Sequence, residues 1–155
     1  MAKIILYKGK GFISGMIRCF TWSDYTHVVW QLRDGSVIHA AANGVIQDLG
    51  PTQGSLINEK PDVYEFIVPF TDEEDVLAEE ALKKGLGEKS RYDFGGLINF
   101  IIHSRDNPDK WFCSELVQYA ARIAGRPFQL RIEDFKMQPA HIVMSPLLKG
   151  PIAPG

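Results

Sequence analysis

The sequence predicts an α+β domain in which an antiparallel β-sheet packs against helices. Segments with strand character lie mainly in the first half of the chain, and the strongest helical patterns lie in the second half. The length of 155 residues suits one domain with one hydrophobic core. We assign residues 1–145 to this domain and residues 146–155, which are rich in Pro and Gly, to an extended or loosely ordered C-terminal tail.

The predicted strands are short and rich in β-branched and aromatic residues, with turn residues between them. They cover residues 3–7, 25–32, 36–49 (with a break at Asn43-Gly44) and 63–70. Apolar residues at helical spacing predict helices over residues 11–23, 71–87, 92–104 and 113–125. Thr71 and Glu74 have the spacing of a capping box, and Gly125 and Pro127 end the last helix.

Composition excludes several classes of function. The net charge is −2 and the basic residues are scattered, so we expect no nucleic-acid partner. The apolar run at the N-terminus is too short for a signal peptide, and no stretch is long enough for an integral membrane segment. We therefore expect a cytoplasmic protein, although a phage- or virion-associated protein delivered without a signal peptide would have the same features.

The chain has two cysteines, Cys19 and Cys113, which is too few for a disulfide framework. No C-x-x-C or H-E-x-x-H spacing is present, so the sequence has no local signature of a metal site, and we expect no cofactor. Cys113 falls in the first turn of a predicted helix, where backbone N–H groups and the helix dipole favour a thiolate. By itself this position fits a buried packing cysteine better than a nucleophile.

A nucleophilic cysteine needs a base, and two of the four histidines lie close together in the sequence "HVVWQLRDGSVIH". If the turn between their strands were the two residues Asp34-Gly35, His27 and His39 would lie on opposite faces of the sheet. If the turn comprises residues 33–35 with a left-handed Gly35, the two histidines become diagonal neighbours on one face. In that register one imidazole can act as a base and the other can orient it.

These residues resemble a known family. "HVVWQLRDGSVIHA" is similar to the histidine hairpin of NlpC-type papain-like cell-wall peptidases, and "WFCSELVQYA" is similar to their nucleophile helix. In this chain the histidines precede the cysteine, as they do in the permuted papain-like cysteine peptidases and amidases of the YiiX/YaeF-like group. "IRCFTWSDYTHVVW" and "RYDFGGL" also resemble segments of that group, so that the resemblance covers about half of the chain.

The resemblance implies a papain-like, circularly permuted fold and a thiol hydrolase. It implies Cys113 as the nucleophile, His27 as the base and His39 as the third member, although some relatives use another polar group in the third place. Ser114 and Tyr25 are candidates for an oxyanion or substrate-binding role. The implied reaction is cleavage of an amide bond, for example in a cell-wall-type peptide, through an acyl-enzyme.

Three alternatives remain open from the sequence. The first is an acyltransferase or thioesterase that acts on a lipid-linked acyl substrate. The second is a binding module that has kept the fold without activity. The third is a zinc site formed by His27, His39 and Cys113, whose residue types can all bind that metal.

Overall fold

The computed structural model describes residues 2–8, 25, 27–41, 44–56, 60–86, 89–90, 110–111, 113–130 and 139–152. Its largest element is a six-stranded antiparallel sheet, which agrees with the predicted fold class. The strands of this sheet are β1 (Lys3–Tyr7), β2 (His27–Gln31), β3 (Val37–Ala41), β4 (Gly44–Asp48), β5 (Pro61–Phe66) and β8 (Leu148–Ile152). They lie in the order β4-β3-β2-β1-β5-β8. Two further strands, β6 (Lys89–Ser90) and β7 (Lys110–Trp111), form a short parallel pair.

The described helices are α1 (Asp72–Lys84), α2 (Cys113–Ile123) and α3 (Pro139–Val143), and a 3-10 turn covers Gly54–Leu56. The predicted capping box of α1 is formed, since Thr71 accepts from the Glu74 N–H and the Glu74 carboxylate accepts from the Thr71 N–H. The chain leaves the α-conformation after α2 at Gly125, whose φ of 86° is left-handed. The helices predicted over 11–23 and 92–104 lie outside the described residues.

The sheet carries a hydrophobic cluster on each face. Successive side chains of a strand point to opposite faces, and the alternation separates the two clusters. The larger cluster includes Val28, Trp30 and Ile38 together with the buried side of α2. The smaller cluster contains Ile5, Tyr7, Val29, Val37 and Leu56.

Strand β8 lies within the segment for which an extended or loosely ordered tail is predicted. It pairs with β5 and becomes one edge of the sheet. Most of its residues are exposed, and only Leu148 is buried. A strand held mainly by backbone hydrogen bonds along an edge leaves little hydrophobic pattern in the sequence, which explains why the composition of this segment did not indicate it.

Candidate functional site

The turn between β2 and β3 determines which face the two histidines share. Its three residues are 33–35, closed by a hydrogen bond of 2.8 Å from the Leu32 N–H to the Ser36 carbonyl. Gly35 has a φ of 91°, the left-handed conformation that this turn needs in its third position. The register that follows pairs Trp30 with Ile38 and Gln31 with Val37. The three-residue alternative is therefore correct, and the two-residue turn is excluded.

The register makes His27 and His39 diagonal neighbours on one face, and their rings meet. His27 Nε2 lies 2.8 Å from His39 Nδ1, and the two rings are nearly perpendicular, with their centroids 5.0 Å apart. A nitrogen–nitrogen separation of this size is a hydrogen bond, in which one ring donates and the other accepts. The pairing expected from the sequence is thus present.

A third polar residue extends the pair, and it is one that the sequence reasoning did not identify. His39 Nε2 lies 2.9 Å from Asp48 Oδ2, so that His27, His39 and Asp48 form one hydrogen-bonded chain. Asp48 is the last residue of β4, where His39 is paired with Ile46. Asp48 is therefore the diagonal neighbour of His39, just as His39 is the diagonal neighbour of His27.

The segment after Asp48 folds back over the face that carries the histidines. The Tyr7 hydroxyl donates to the Pro51 carbonyl at 2.6 Å, and Leu56 is buried in the smaller cluster. Tyr7 also lies directly opposite His27 in the sheet, with the two ring centroids 6.0 Å apart. These contacts remove much of the imidazole pair from water, and His39 is only 1% exposed.

Burial keeps both imidazoles neutral. It lowers the pKa of His27 from 6.5 to about 3, and the neighbouring His39 adds to this effect. Burial also lowers the pKa of His39, although the hydrogen bond and the charge of Asp48 act in the opposite direction. At physiological pH both imidazoles are therefore neutral, and each ring has one nitrogen with a proton and one with a lone pair.

These lowered pKa values predict how stability depends on pH. Between about pH 6.5 and pH 3 the unfolded chain binds a proton at His27 that the native protein does not bind, and the lowered pKa of His39 acts in the same direction, so the unfolding free energy should fall as the pH is lowered. The slope has a ceiling of about 1.4 kcal/mol per pH unit for each histidine. Urea unfolding at a series of pH values from 7 to 4 measures it. The double variant His27→Gln/His39→Gln should have a clearly flatter profile, and an unchanged slope would contradict the assignment.

Cys113 is the first residue of α2, as the sequence predicts, and it is 3% exposed. Helix α2 packs against β2 and β3, the two strands that carry the histidines. The cysteine belongs to the larger hydrophobic cluster, together with Val28 and Ile38. His27 and His39 occupy the alternate strand positions, which face the smaller cluster.

The entry to β2 is where the alternation between the two faces breaks down. Tyr25 is two residues before His27, so regular alternation would place both on one face. Tyr25 instead packs against the larger cluster, on the side of Cys113. His27 is the first residue of β2 and Cys113 is the first residue of α2, so both candidate residues lie at the ends of their elements.

The other two candidates of the sequence have well-defined surroundings. Ser114 is buried in the first turn of α2, beside Cys113. The Tyr25 hydroxyl donates to Asp62 Oδ2 at 2.8 Å and lies 3.0 Å from the Tyr64 hydroxyl. Burial and these hydrogen bonds raise the pKa of Tyr25, so its hydroxyl stays protonated. For Tyr25 to donate to an oxyanion, its proton would have to turn away from Asp62.

Within the described parts of the chain, no three His, Cys, Asp or Glu side chains are placed so that they could hold a metal ion. The geometry of the histidine pair agrees with this. Two nitrogens bound to one tetrahedral zinc ion at 2.0–2.1 Å would be roughly 3.3 Å apart. The 2.8 Å between His27 Nε2 and His39 Nδ1 is the distance of a direct hydrogen bond.

The described helices include none that is both long enough and apolar enough to cross a bilayer. In comparisons with known proteins, no family model matches the chain, and no curated protein matches it significantly. A crystal structure described as metalloprotein yiiX, DUF1105, from Escherichia coli O157:H7 is similar in fold, with a TM-score of 0.73 at 18% sequence identity. The similarity covers 96% of this chain and 93% of that chain. It therefore extends over the whole α+β architecture.

Proposed function

We propose that this chain is a thiol hydrolase of the permuted papain-like type, a cysteine peptidase or amidase. Cys113 is the nucleophile, His27 is the general base and His39 orients the base. The observation that carries the proposal is the 2.8 Å hydrogen bond between His27 and His39. Two imidazoles joined in this way, on strands that contact a helix beginning with a cysteine, supply a base, an orienting group and a nucleophile.

The fold supports the same proposal. The chain is similar in fold to yiiX, and its sequence motifs resemble the YiiX/YaeF-like group. The order of the motifs, with both histidines before the cysteine, is the order of that group. A catalytic site is defined by the geometry of its side chains, so reversed order in the chain does not change the chemistry.

The reaction begins with the Cys113 thiol and the neutral His27 imidazole. The proton of Sγ moves to Nδ1 of His27 while the sulfur attacks the carbonyl carbon of the substrate, and the carbonyl π-electrons move to the oxygen. The N–H groups of the first turn of α2 are suited to stabilise this oxyanion. His27 then gives the proton to the leaving amine as the C–N bond breaks and the carbonyl re-forms, which leaves the acyl group on sulfur. Water gives a proton to His27 and attacks this thioester, the C–S bond breaks, and the proton returns to the sulfur as the acid is released.

Catalysis by this pair requires that the Cys113 thiol and the His27 imidazole come into contact. The thiol and the base belong to different faces of the sheet by strand alternation, so they have to meet beyond the start of β2, and each of them is the first residue of its element. Tyr25 supports this, because its side chain crosses to the Cys113 side only two residues before His27. Nε2 of His27 is directed to His39, which assigns the proton transfer to Nδ1.

The substrate we propose is a short peptide amide, for example of the cell-wall type, and an ester or lipid-linked acyl group would be attacked by the same chemistry. Hydrolysis and acyl transfer differ only in the acceptor that takes the acyl group from sulfur. A catalytically silent binding module would form no covalent intermediate. These possibilities can be separated in one experiment.

The experiment follows the acyl group by mass spectrometry. The full-length protein is incubated with a p-nitrophenyl ester or with short peptides, quenched in acid and digested with a protease. We expect an acyl adduct on Cys113 and release of free acid. Transfer of the acyl group to an added amine or alcohol in preference to water would indicate an acyltransferase, and the absence of any adduct would contradict the proposal. One equivalent of zinc in protein purified without added metal would favour the zinc site instead.

A further inference from the structure

The Asp48 carboxylate determines which atoms donate and which accept along the hydrogen-bonded chain of Asp48, His39 and His27. An ionised carboxylate has no proton and can only accept hydrogen bonds. Asp48 Oδ2 lies 2.9 Å from His39 Nε2, so His39 donates through Nε2. This contact fixes where His39 carries its proton.

The proton on His39 Nε2 also determines which ring donates in the hydrogen bond between His39 and His27. A neutral imidazole has one N–H, and burial keeps His39 neutral, so its Nδ1 carries a lone pair. That lone pair lies 2.8 Å from His27 Nε2 and must accept the proton of that atom. His27 is neutral as well, so its single proton is on Nε2 and its lone pair is on Nδ1.

We propose that Asp48 is a positioning residue that sets the tautomer of His27 through His39, and so makes Nδ1 the basic nitrogen. The opposite tautomer would place a proton on Nδ1, where it would block the uptake of a proton from a thiol. The link to catalysis rests on the proposed thiol hydrolase, whereas the tautomer itself does not depend on any activity.

Asp48 also acts when His27 becomes charged. After His27 accepts the thiol proton on Nδ1, both of its nitrogens carry protons and the ring is an imidazolium. The hydrogen bond from Nε2 to His39 remains, and the carboxylate at the far end of the chain stabilises the positive charge without any further proton transfer. One S–H bond breaks and one N–H bond forms, and Asp48 stays ionised throughout.

The Asp48 carboxylate lies close to the backbone of Gly54. Gly54 has a φ of 61°, and a Cβ atom added there would collide with Asp48 Oδ1. The glycine thus lets the 3-10 turn of residues 54–56 lie directly against the carboxylate. A side chain at this position would push the carboxylate aside, so the close packing of Gly54 is part of the same arrangement.

The tautomer can be measured directly on protein labelled with ¹⁵N-histidine. Long-range ¹H–¹⁵N spectra distinguish protonated from unprotonated ring nitrogens, and His27→Gln and His39→Gln assign the signals. At pH 7 we expect His27 to carry its proton on Nε2, with Nδ1 unprotonated, and His39 to carry its proton on Nε2 also. A proton on Nδ1 of His27 in the unchanged protein overturns the proposal.

Asp48→Asn tests the role of the carboxylate. The asparagine amide can donate to His39 Nε2, which reverses both hydrogen bonds and moves protons to Nδ1 of each ring. We expect this variant to show a substantial population of His27 protonated on Nδ1. The matched control is Asp34→Asn, which removes a carboxylate bonded to Ser36 in the turn after β2 and should leave the tautomer unchanged.

The rate of acylation of Cys113 separates this inference from the proposed function. In Asp48→Asn we expect that rate to fall roughly 10²-fold, within the range of general acid–base effects, with a changed pH profile. If the tautomer is as proposed but Cys113 is never acylated, the thiol hydrolase fails and the assignment of the tautomer stands. If Asp48→Asn leaves both the tautomer and the rate unchanged, Asp48 is not a positioning residue.

Discussion

Cys113→Ser is expected to abolish acylation and to reduce turnover of any ester or peptide substrate by at least about 10³-fold, because the serine hydroxyl is a far weaker nucleophile beside a neutral imidazole. The substitution changes one atom, so the buried start of α2 should keep its packing. Turnover is measured by release of p-nitrophenol, and acylation by mass.

The control for this variant is Cys19→Ser, which removes the other thiol of the chain. We expect it to retain the turnover of the unchanged protein. If Cys113→Ser kept most of the turnover, or if the adduct formed on Cys19, the nucleophile would have been assigned to the wrong residue. Unchanged unfolding midpoints for both variants would show that the loss is one of chemistry.

His27→Ala has the second largest expected effect. Without the base, the thiol proton has no acceptor, and we expect the acylation rate at neutral pH to fall by roughly 10² to 10⁴-fold. The remaining rate should rise with pH, because the thiolate then forms only by ionisation into solvent. The measurement is the acylation rate as a function of pH, compared between the variant and the unchanged protein.

Two other histidine variants serve as controls for this prediction. His39→Ala should lower the rate less than His27→Ala, because the base remains and only its orientation is lost. His141→Ala should leave the rate unchanged, since His141 lies in α3 and is not one of the three residues of the hydrogen-bonded chain. Equal losses in all three variants would point to a general effect on folding and would contradict a specific base.

The sequence reduced the placement of the two histidines to two alternatives, because one local feature, the length of the turn, controls it. The sequence Arg33-Asp34-Gly35 contains a glycine where a three-residue turn needs a left-handed residue, and the structure has φ of 91° there. A turn length sets the register, and the register sets which side chains share a face. The helix start at Cys113 was predictable for a similar reason, since the apolar pattern of α2 is local.

Asp48 was missed although the same rule could have identified it. It is on the face of His39 because Ile46 is paired with His39. The sequence indicated a break near Asn43-Gly44, but it did not give the length of the turn there. The register between β3 and β4 therefore could not be assigned from the sequence. The close approach of Gly54 to Asp48 could not be predicted from a local pattern, because it depends on how residues 49–56 fold back onto the sheet.

The position of Cys113 relative to the two histidines could not be predicted from local sequence patterns either. Strand alternation separates the two sides, and the change of side between Tyr25 and His27 is visible only from the contacts of Tyr25. Such contacts between distant parts of the chain depend on tertiary packing. A direct chemical measurement on the cysteine is therefore the strongest test.

The rate of alkylation of Cys113 by iodoacetamide in the native protein, compared with that of Cys19, tests the central claim most directly. Cys113 is 3% exposed, so an inert thiol there would react only when the protein unfolds. We predict that Cys113 reacts much faster than Cys19 at neutral pH, and that His27→Ala removes this preference. Equal rates for the two cysteines in the native protein, or a preference that His27→Ala leaves intact, would contradict a cysteine activated by His27.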